Sequence, residues 1–145
     1  MEAFPHNYRV TANAQAKGNV ALSSNGLPDL VTGPPAEFGG PGDIWSPETL
    51  FVGSISDCFI LTFRAIAQAS KLPWSLLECT AEGTLERIER STKFTTINIK
   101  ASVHVPAGTD VERVRRLLEK SEANCLITQS MNAVVHLETE VIIKA

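Results

Sequence analysis

The amino-acid sequence predicts an α+β fold in which short strands lead into one long apolar helix and then into a sheet. Three observations carry this. A helix-start signal opens a run, Leu50 to Ala67, that is apolar on nearly all sides. Two later segments alternate strictly between apolar and polar residues, and an amphipathic helical pattern follows them without any βαβ repeat. At 145 residues, 43% of them hydrophobic, the chain reads as one domain, 1–145, long enough for a real core and too short for two.

The N-terminal stretch alternates weakly at Tyr8 to Ala12, Asn19 to Leu22 and Leu30-Val31, with turn signals at Lys17-Gly18 and Asn25-Gly26. Short strands in a meander are expected there. Gly33 to Gly42 is rich in proline and glycine, which lack the donor or cost backbone entropy, so it reads as a stiff loop. Ser46-Pro47-Glu48 then starts a helix: serine suits the N-cap, proline the first helical position, and glutamate the positive end of the dipole. It should run to about Lys71 and stop before Pro73. A helix this apolar belongs in a core or against a second subunit.

Leu77, Cys79, Ala81 and Leu85 share one face of the next segment, and Glu78, Thr80, Glu82, Thr84 and Glu86 the other. After a turn near Glu89-Arg90-Ser91, Ile97, Ile99, Ala101, Val103 and Val105 alternate with Thr96, Asn98, Lys100, Ser102 and His104. The pair predicts a hairpin with one wet face. Thr109-Asp110-Val111-Glu112 has the spacing of a capping box, followed by the stripe Val111, Val114 and Leu118, with Arg113, Arg116 and Lys120 on the solvent side. A short helical piece from about Cys125 to Met131 and a last strand, Val134 to Ile143, complete the order.

A net charge of −3 and a pI near 5.6 give no electrostatic footprint for nucleic acid. The N-terminus has no basic segment followed by an apolar one, and no apolar stretch approaches the roughly 20 residues that span a bilayer, so no membrane partner and a cytoplasmic location are expected. In a reducing compartment three cysteines are not a structural framework, and a bridge between two of them would be transient. His6, His104 and His136 show no metal-ligand spacing, and no glycine-rich nucleotide loop is present, so neither metal nor cofactor is expected.

Cys58 lies inside the apolar helical run beside Asp57, whereas Cys125 follows Asn124 between two helical segments. Helix starts favour anions, so a thiolate at Cys125 would find unpaired backbone N–H groups there. Cys79, on an apolar strand face without a polar companion, reads as inert. Asp57 points about 100° away from Cys58 around the helix and so faces solvent or a partner.

Glu37-Phe38-Gly39-Gly40-Pro41-Gly42, then Trp45 to Gly53, then Asp57-Cys58-Phe59, resemble the OsmC/Ohr family of osmotically induced and organic hydroperoxide resistance proteins. Glu122 to Ser130, around Cys125, resembles the family's second-cysteine segment, and the likeness covers about the whole chain. It implies antiparallel sheets packed around a long buried central helix, and an intertwined homodimer. It also implies a thiol peroxidase without cofactor, in which Cys58 attacks an organic hydroperoxide and Cys125 resolves the sulfenic acid as a disulfide. A dithiol, lipoyl-type in one branch, is the implied reductant. Glu48 corresponds to the glutamate that positions an arginine beside the thiolate.

The chain departs from this pattern at the arginine. Relatives supply it from the N-terminal strands or the loop before the helix, where this sequence offers only Arg9 and Lys17; a lysine lacks the planar fork that grips a carboxylate and leaves a donor for substrate. Arg64, six positions beyond Cys58, is a third candidate and would reach only a partner subunit's site. Leu126 stands where many members have proline. Glu48 and Cys58 are ten positions apart, about 15 Å along a straight helix. One site for both needs a bend near Gly53-Ser54 or a contact across a dimer. Phe38, Trp45, Phe51, Ile55 and Phe59 are candidate walls of an apolar substrate pocket. A non-catalytic protein binding a small apolar ligand is the alternative, and a cysteine hydrolase lacks a histidine near either thiol.

Overall fold

The computed structural model describes residues 1–144, which form two compact units: Met1–Phe51, and the chain from Val52 onward. The first unit is the expected meander. β1 (Thr11–Asn13), β2 (Val20–Ser23) and β3 (Leu30–Thr32) pair antiparallel in chain order, with Thr11 opposite Ser23 and Leu22 opposite Leu30. The loop after β3 folds around a 3₁₀ turn at Ala36–Phe38. Gly40 is held by that turn: its N–H donates to the Pro35 carbonyl at 3.0 Å, and a Cβ there would stand 1.7 Å from the Pro34 carbonyl oxygen, so no other residue fits.

α1 (Pro47–Ala69) starts as its signal requires. The Thr49 N–H donates to Ser46 Oγ at 3.1 Å, and the Ser46 N–H donates to Thr49 Oγ1 at 2.8 Å, a reciprocal cap with threonine in glutamate's usual role. It ends two residues before the expected Lys71. Lys71 turns left-handed at φ 54°, and the Leu72 N–H donates to the Ala67 carbonyl at 2.9 Å, a Schellman-type stop ahead of Pro73.

One expectation about α1 needs correction. Its 23 residues are long and apolar enough to cross a membrane by length and composition, contrary to the reading that no such stretch exists. The stripe Ile55, Phe59, Phe63 and Ala67 is fully buried, while Leu61 is 52% exposed, so this chain covers one side of the helix and leaves another open. The fully buried stripe, with Asp57 and Arg64 exposed elsewhere on the same helix, is the pattern of a core helix.

β4 (Leu76–Ile88) and β5 (Ser91–Pro106) form the predicted hairpin. A bulge after Thr84 inserts one extra residue into β5. α2 (Val111–Ala123) then carries the chain back, and β6 (Val134–Lys144) pairs parallel with β5, so the sheet order is β4-β5-β6 and the antiparallel expectation fails at its last strand. One βαβ crossover is therefore present. Leu77, Ile97, Ile99, Ala101, Val103 and Val105 are buried on one sheet face. α1 lies against it, since a methyl on Gly83 of β4 would stand 2.9 Å from Val52 Cγ2.

The cap of α2 is Asp110 rather than Thr109. Its Oδ1 accepts the N–H groups of Glu112 and Arg113, while the Thr109 hydroxyl donates to the Pro106 carbonyl at 2.7 Å. Arg113, expected in solvent, donates through its guanidinium to the Ser70 carbonyl and ties α2 to the end of α1.

Candidate active site

Cys58 and Cys125, far apart in sequence, come near each other. Cys58 is half-buried on α1, and its thiol is near enough to that of Cys125, fully buried in the turn after α2, to act on its ionisation. Thr62, one helical turn beyond Cys58, lies with Oγ1 3.8 Å from Cys58 Sγ and donates its hydroxyl to the Cys58 carbonyl at 2.7 Å. Around Cys125 the chain coils tightly: its carbonyl accepts the Gln129 N–H at 3.1 Å and the Thr128 hydroxyl at 3.0 Å. The expected helical piece from Cys125 to Met131 is a single 3₁₀ turn, Thr128–Ser130.

Burial pushes the Cys125 thiol up, and the neighbouring Cys58 adds to this; Thr128, beside it in the turn, pulls it back only in part. Backbone donors do converge on this thiol, as its position between helices implied, but desolvation outweighs them. Cys125 is a neutral thiol at rest. Cys79 is the high-pKa thiol that its apolar strand face implied, though it is not without a polar neighbour. It faces inward from β4, where burial first and the charge of Cys125 second push its thiol to about 12. It has a companion, and the companion is Cys125.

A pH effect follows. An unfolded thiol ionises at about 8.5, whereas folded Cys79 holds its proton to about 12. Stability from this group is thus complete below about 8.5 and is lost as pH rises from there toward 12. Cys125, also raised, acts in the same direction. Urea midpoints measured at pH 8, 9 and 10 should fall for the wild type and fall less for Cys79→Ala; parallel curves would contradict the shift.

Glu48 occupies the first turn of α1, half-buried, with Oε2 buried and without a hydrogen-bond partner. Neither Arg9 nor Lys17 forms an ion pair, and Arg64 is exposed; among the described residues the ion pair is Arg115 with Glu112 on α2. Within the N-terminal unit Phe38 and Trp45 are 60% and 52% exposed, and Phe51 is half-buried. Ile55 and Phe59 belong to the buried stripe of α1 and back the thiol from inside rather than facing solvent. Sequence reasoning missed Thr62 and Thr128, each a threonine three or four residues after a motif cysteine, the spacing at which a hydroxyl returns to a carbonyl one turn back.

The profile of the OsmC-like protein family matches residues 40–140. The uncharacterised protein YmaD of Bacillus subtilis is 27% identical over 113 residues, covering 76% of this chain and 75% of that protein. Peroxiredoxin OsmC of Escherichia coli is 24% identical over 124 residues, covering 86% and 85%. Among solved structures, an OsmC-like protein of unknown function from Vibrio cholerae superposes with a TM-score of 0.81 at 18% identity, over 95% of this chain and 100% of that one. An organic hydroperoxide resistance protein from Elizabethkingia anophelis gives 0.75 at 21% identity, over 97% and 100%. These structures share the α+β fold with its two sheets and helices.

Proposed function

The chain belongs to the OsmC-like protein family, and we propose on that premise that it is a cysteine peroxidase acting on organic hydroperoxides. The observation that carries this reading is that the Cys58 and Cys125 thiols, 67 positions apart in sequence, are brought near enough for one to act on the ionisation of the other. Cys58, the more accessible of the two, attacks the outer peroxide oxygen as its thiolate; the O–O bond breaks, the alkoxide leaves and takes a proton as the alcohol, and Cys58 becomes a sulfenic acid. Cys125 then attacks the Cys58 sulfur. The S–O bond breaks, water leaves, and an S–S bond joins the two cysteines. An external dithiol reduces the bridge and restores both thiols, and a reducing cytoplasmic location suits that cycle.

After one equivalent of cumene hydroperoxide, peptide mapping at the earliest times should find Cys58 bridged to Cys125 and Cys79 free. A first bridge that omits Cys58 would overturn the roles.

The working form in this reading is a homodimer. α1 leaves apolar circumference uncovered, with Leu61 exposed, and the buried orphan oxygen of Glu48 calls for a cationic partner. Sedimentation at micromolar concentration should show a dimer; a monomer at every concentration would leave Glu48 without a cross-subunit role. The same orphan oxygen favours a second reading, an apolar-ligand protein without catalysis, because among the described residues no cation pairs with Glu48 to serve the chemistry.

A further inference from the structure

One turn beyond Cys58 the apolar helix α1 carries a threonine, where an alanine or leucine would favour the helix more. Residues four apart stand on one face of a helix, and side chains lean toward its N-terminus, so Thr62 is laid back over Cys58. Its hydroxyl therefore meets two groups at once. It donates to the Cys58 carbonyl at 2.7 Å, and its oxygen stands 3.8 Å from Cys58 Sγ in hydrogen-bond contact. Bonds of the first kind are routine in this chain: Ser121 donates to the Leu117 carbonyl at 2.7 Å, and Ser56 to the Gly53 carbonyl at 3.1 Å. The second contact is not routine. At Thr62 the same hydroxyl also has an ionisable sulfur within reach, and that sulfur belongs to the attacking thiol.

We propose that Thr62 is a catalytic residue, whose hydroxyl turns its single hydrogen from the Cys58 carbonyl to the Cys58 sulfur when that sulfur ionises. In the neutral state the Cys58 S–H donates to Thr62 Oγ1 while the hydroxyl hydrogen stays on the carbonyl. On ionisation the thiol proton passes to solvent, which reaches half-buried Cys58, and the sulfur changes from donor to acceptor. Rotation about the Cβ–Oγ1 bond then carries the hydroxyl hydrogen to the thiolate without displacing any heavy atom. The carbonyl is not orphaned, because the helix supplies it with the backbone N–H of residue 62. A charge-assisted hydrogen bond replaces a neutral one, and the thiolate, the form that attacks, is stabilised. The use of that thiolate against a peroxide rests on the peroxidase reading, whereas the hydroxyl's bond to it does not.

A donor to the thiolate leaves a signature that a packing residue does not. It raises the ionised fraction at neutral pH but makes each thiolate a weaker nucleophile, since nucleophilicity falls with basicity at a Brønsted slope of about 0.4–0.5. Thr62→Val keeps the shape and removes the hydroxyl. With iodoacetamide, read on the Cys58 peptide from pH 6 to 10, its rate profile should move to higher pH by about half a unit to one unit, the scale of one charge-assisted bond less a neutral one. The rate at neutral pH then falls about two- to threefold, and the curves cross at the alkaline end, where the variant becomes the faster. Thr62→Ser should restore the wild-type profile, and Thr62→Ala should follow valine. Burial holds the inward thiols Cys125 and Cys79 protonated alike in all these proteins, the buried residues of β5 and α2 include no other ionisable group, and Asp57 and Arg64 of α1 are exposed. Superposed profiles for Thr62→Val and wild type, or a change in rate that is equal at every pH, overturn the proposal. A displaced, crossing profile in a protein whose Cys58 is not oxidised by cumene hydroperoxide supports the bond to the thiolate and overturns the peroxidase reading.

Discussion

Cys58→Ser is expected to consume almost no peroxide, a loss on the order of a thousandfold or more, the scale on which removal of an attacking nucleophile acts. Cys125→Ser should still consume one equivalent and stop at the sulfenic acid, because a serine hydroxyl cannot form an S–S bond with the oxidised sulfur. The asymmetry follows from the two environments. Cys58 is partly open with the Thr62 hydroxyl beside it, whereas Cys125 is fully buried and held protonated by desolvation. Intact-mass measurement after one equivalent reads both outcomes: a single added oxygen in Cys125→Ser, trappable by a sulfenate reagent, and none in Cys58→Ser. With excess peroxide the Cys125→Ser adduct should advance to the sulfinic acid, since nothing resolves it. Equal consumption by the two variants would remove the distinction between attacking and resolving thiols.

Phe59→Ala should destabilise the chain by about 3–5 kcal/mol, a change in the folding equilibrium of more than about a hundredfold. Phe59 is fully buried in the middle of the only stripe of α1 that the chain encloses, next to the cysteine that the site depends on. Its removal leaves a cavity that the flanking Ile55 and Phe63 cannot fill without leaving their own rotamers. The effect should appear as a lower urea midpoint with the slope unchanged. A loss below about 1 kcal/mol would mean that α1 is not the core element described above.

The start of α1 was legible because Ser46, Pro47 and Glu48 each fit one helical position for one reason. The β4–β5 hairpin was legible because alternation leaves no choice of face. The parallel pairing of β6 was not, since a strand alternates with period two whether its neighbour runs with it or against it; the only signal was α2 lying between β5 and β6. At the α2 cap both Thr109 and Asp110 can accept backbone N–H groups, and local sequence does not say which faces them. The near-complete apolar circumference of α1 identified a buried helix but not which of its sides this chain covers.

In the site, family likeness pointed to Cys58 and Cys125, and Glu48 was named as a partner for a cation that the described residues do not supply. The state of Cys125 was misread because burial, which sequence does not display, overrides the local backbone donors that sequence does imply. The nearness of Cys79 to Cys125 was invisible for a related reason. The two residues come from elements that neither pair nor follow one another, and only tertiary packing sets their separation.

Stopped-flow mixing of fully reduced protein with cumene hydroperoxide, and separately with hydrogen peroxide, tests the central claim most directly. Single-turnover loss of the Cys58 thiol is expected with both, and faster with cumene hydroperoxide by about tenfold or more if the proposed apolar surroundings of Cys58 bury even part of its ring, which contributes the roughly 1.4 kcal/mol that a tenfold rate ratio requires. Failure of either peroxide to oxidise Cys58 faster than it oxidises a free thiol in solution would contradict the peroxidase assignment.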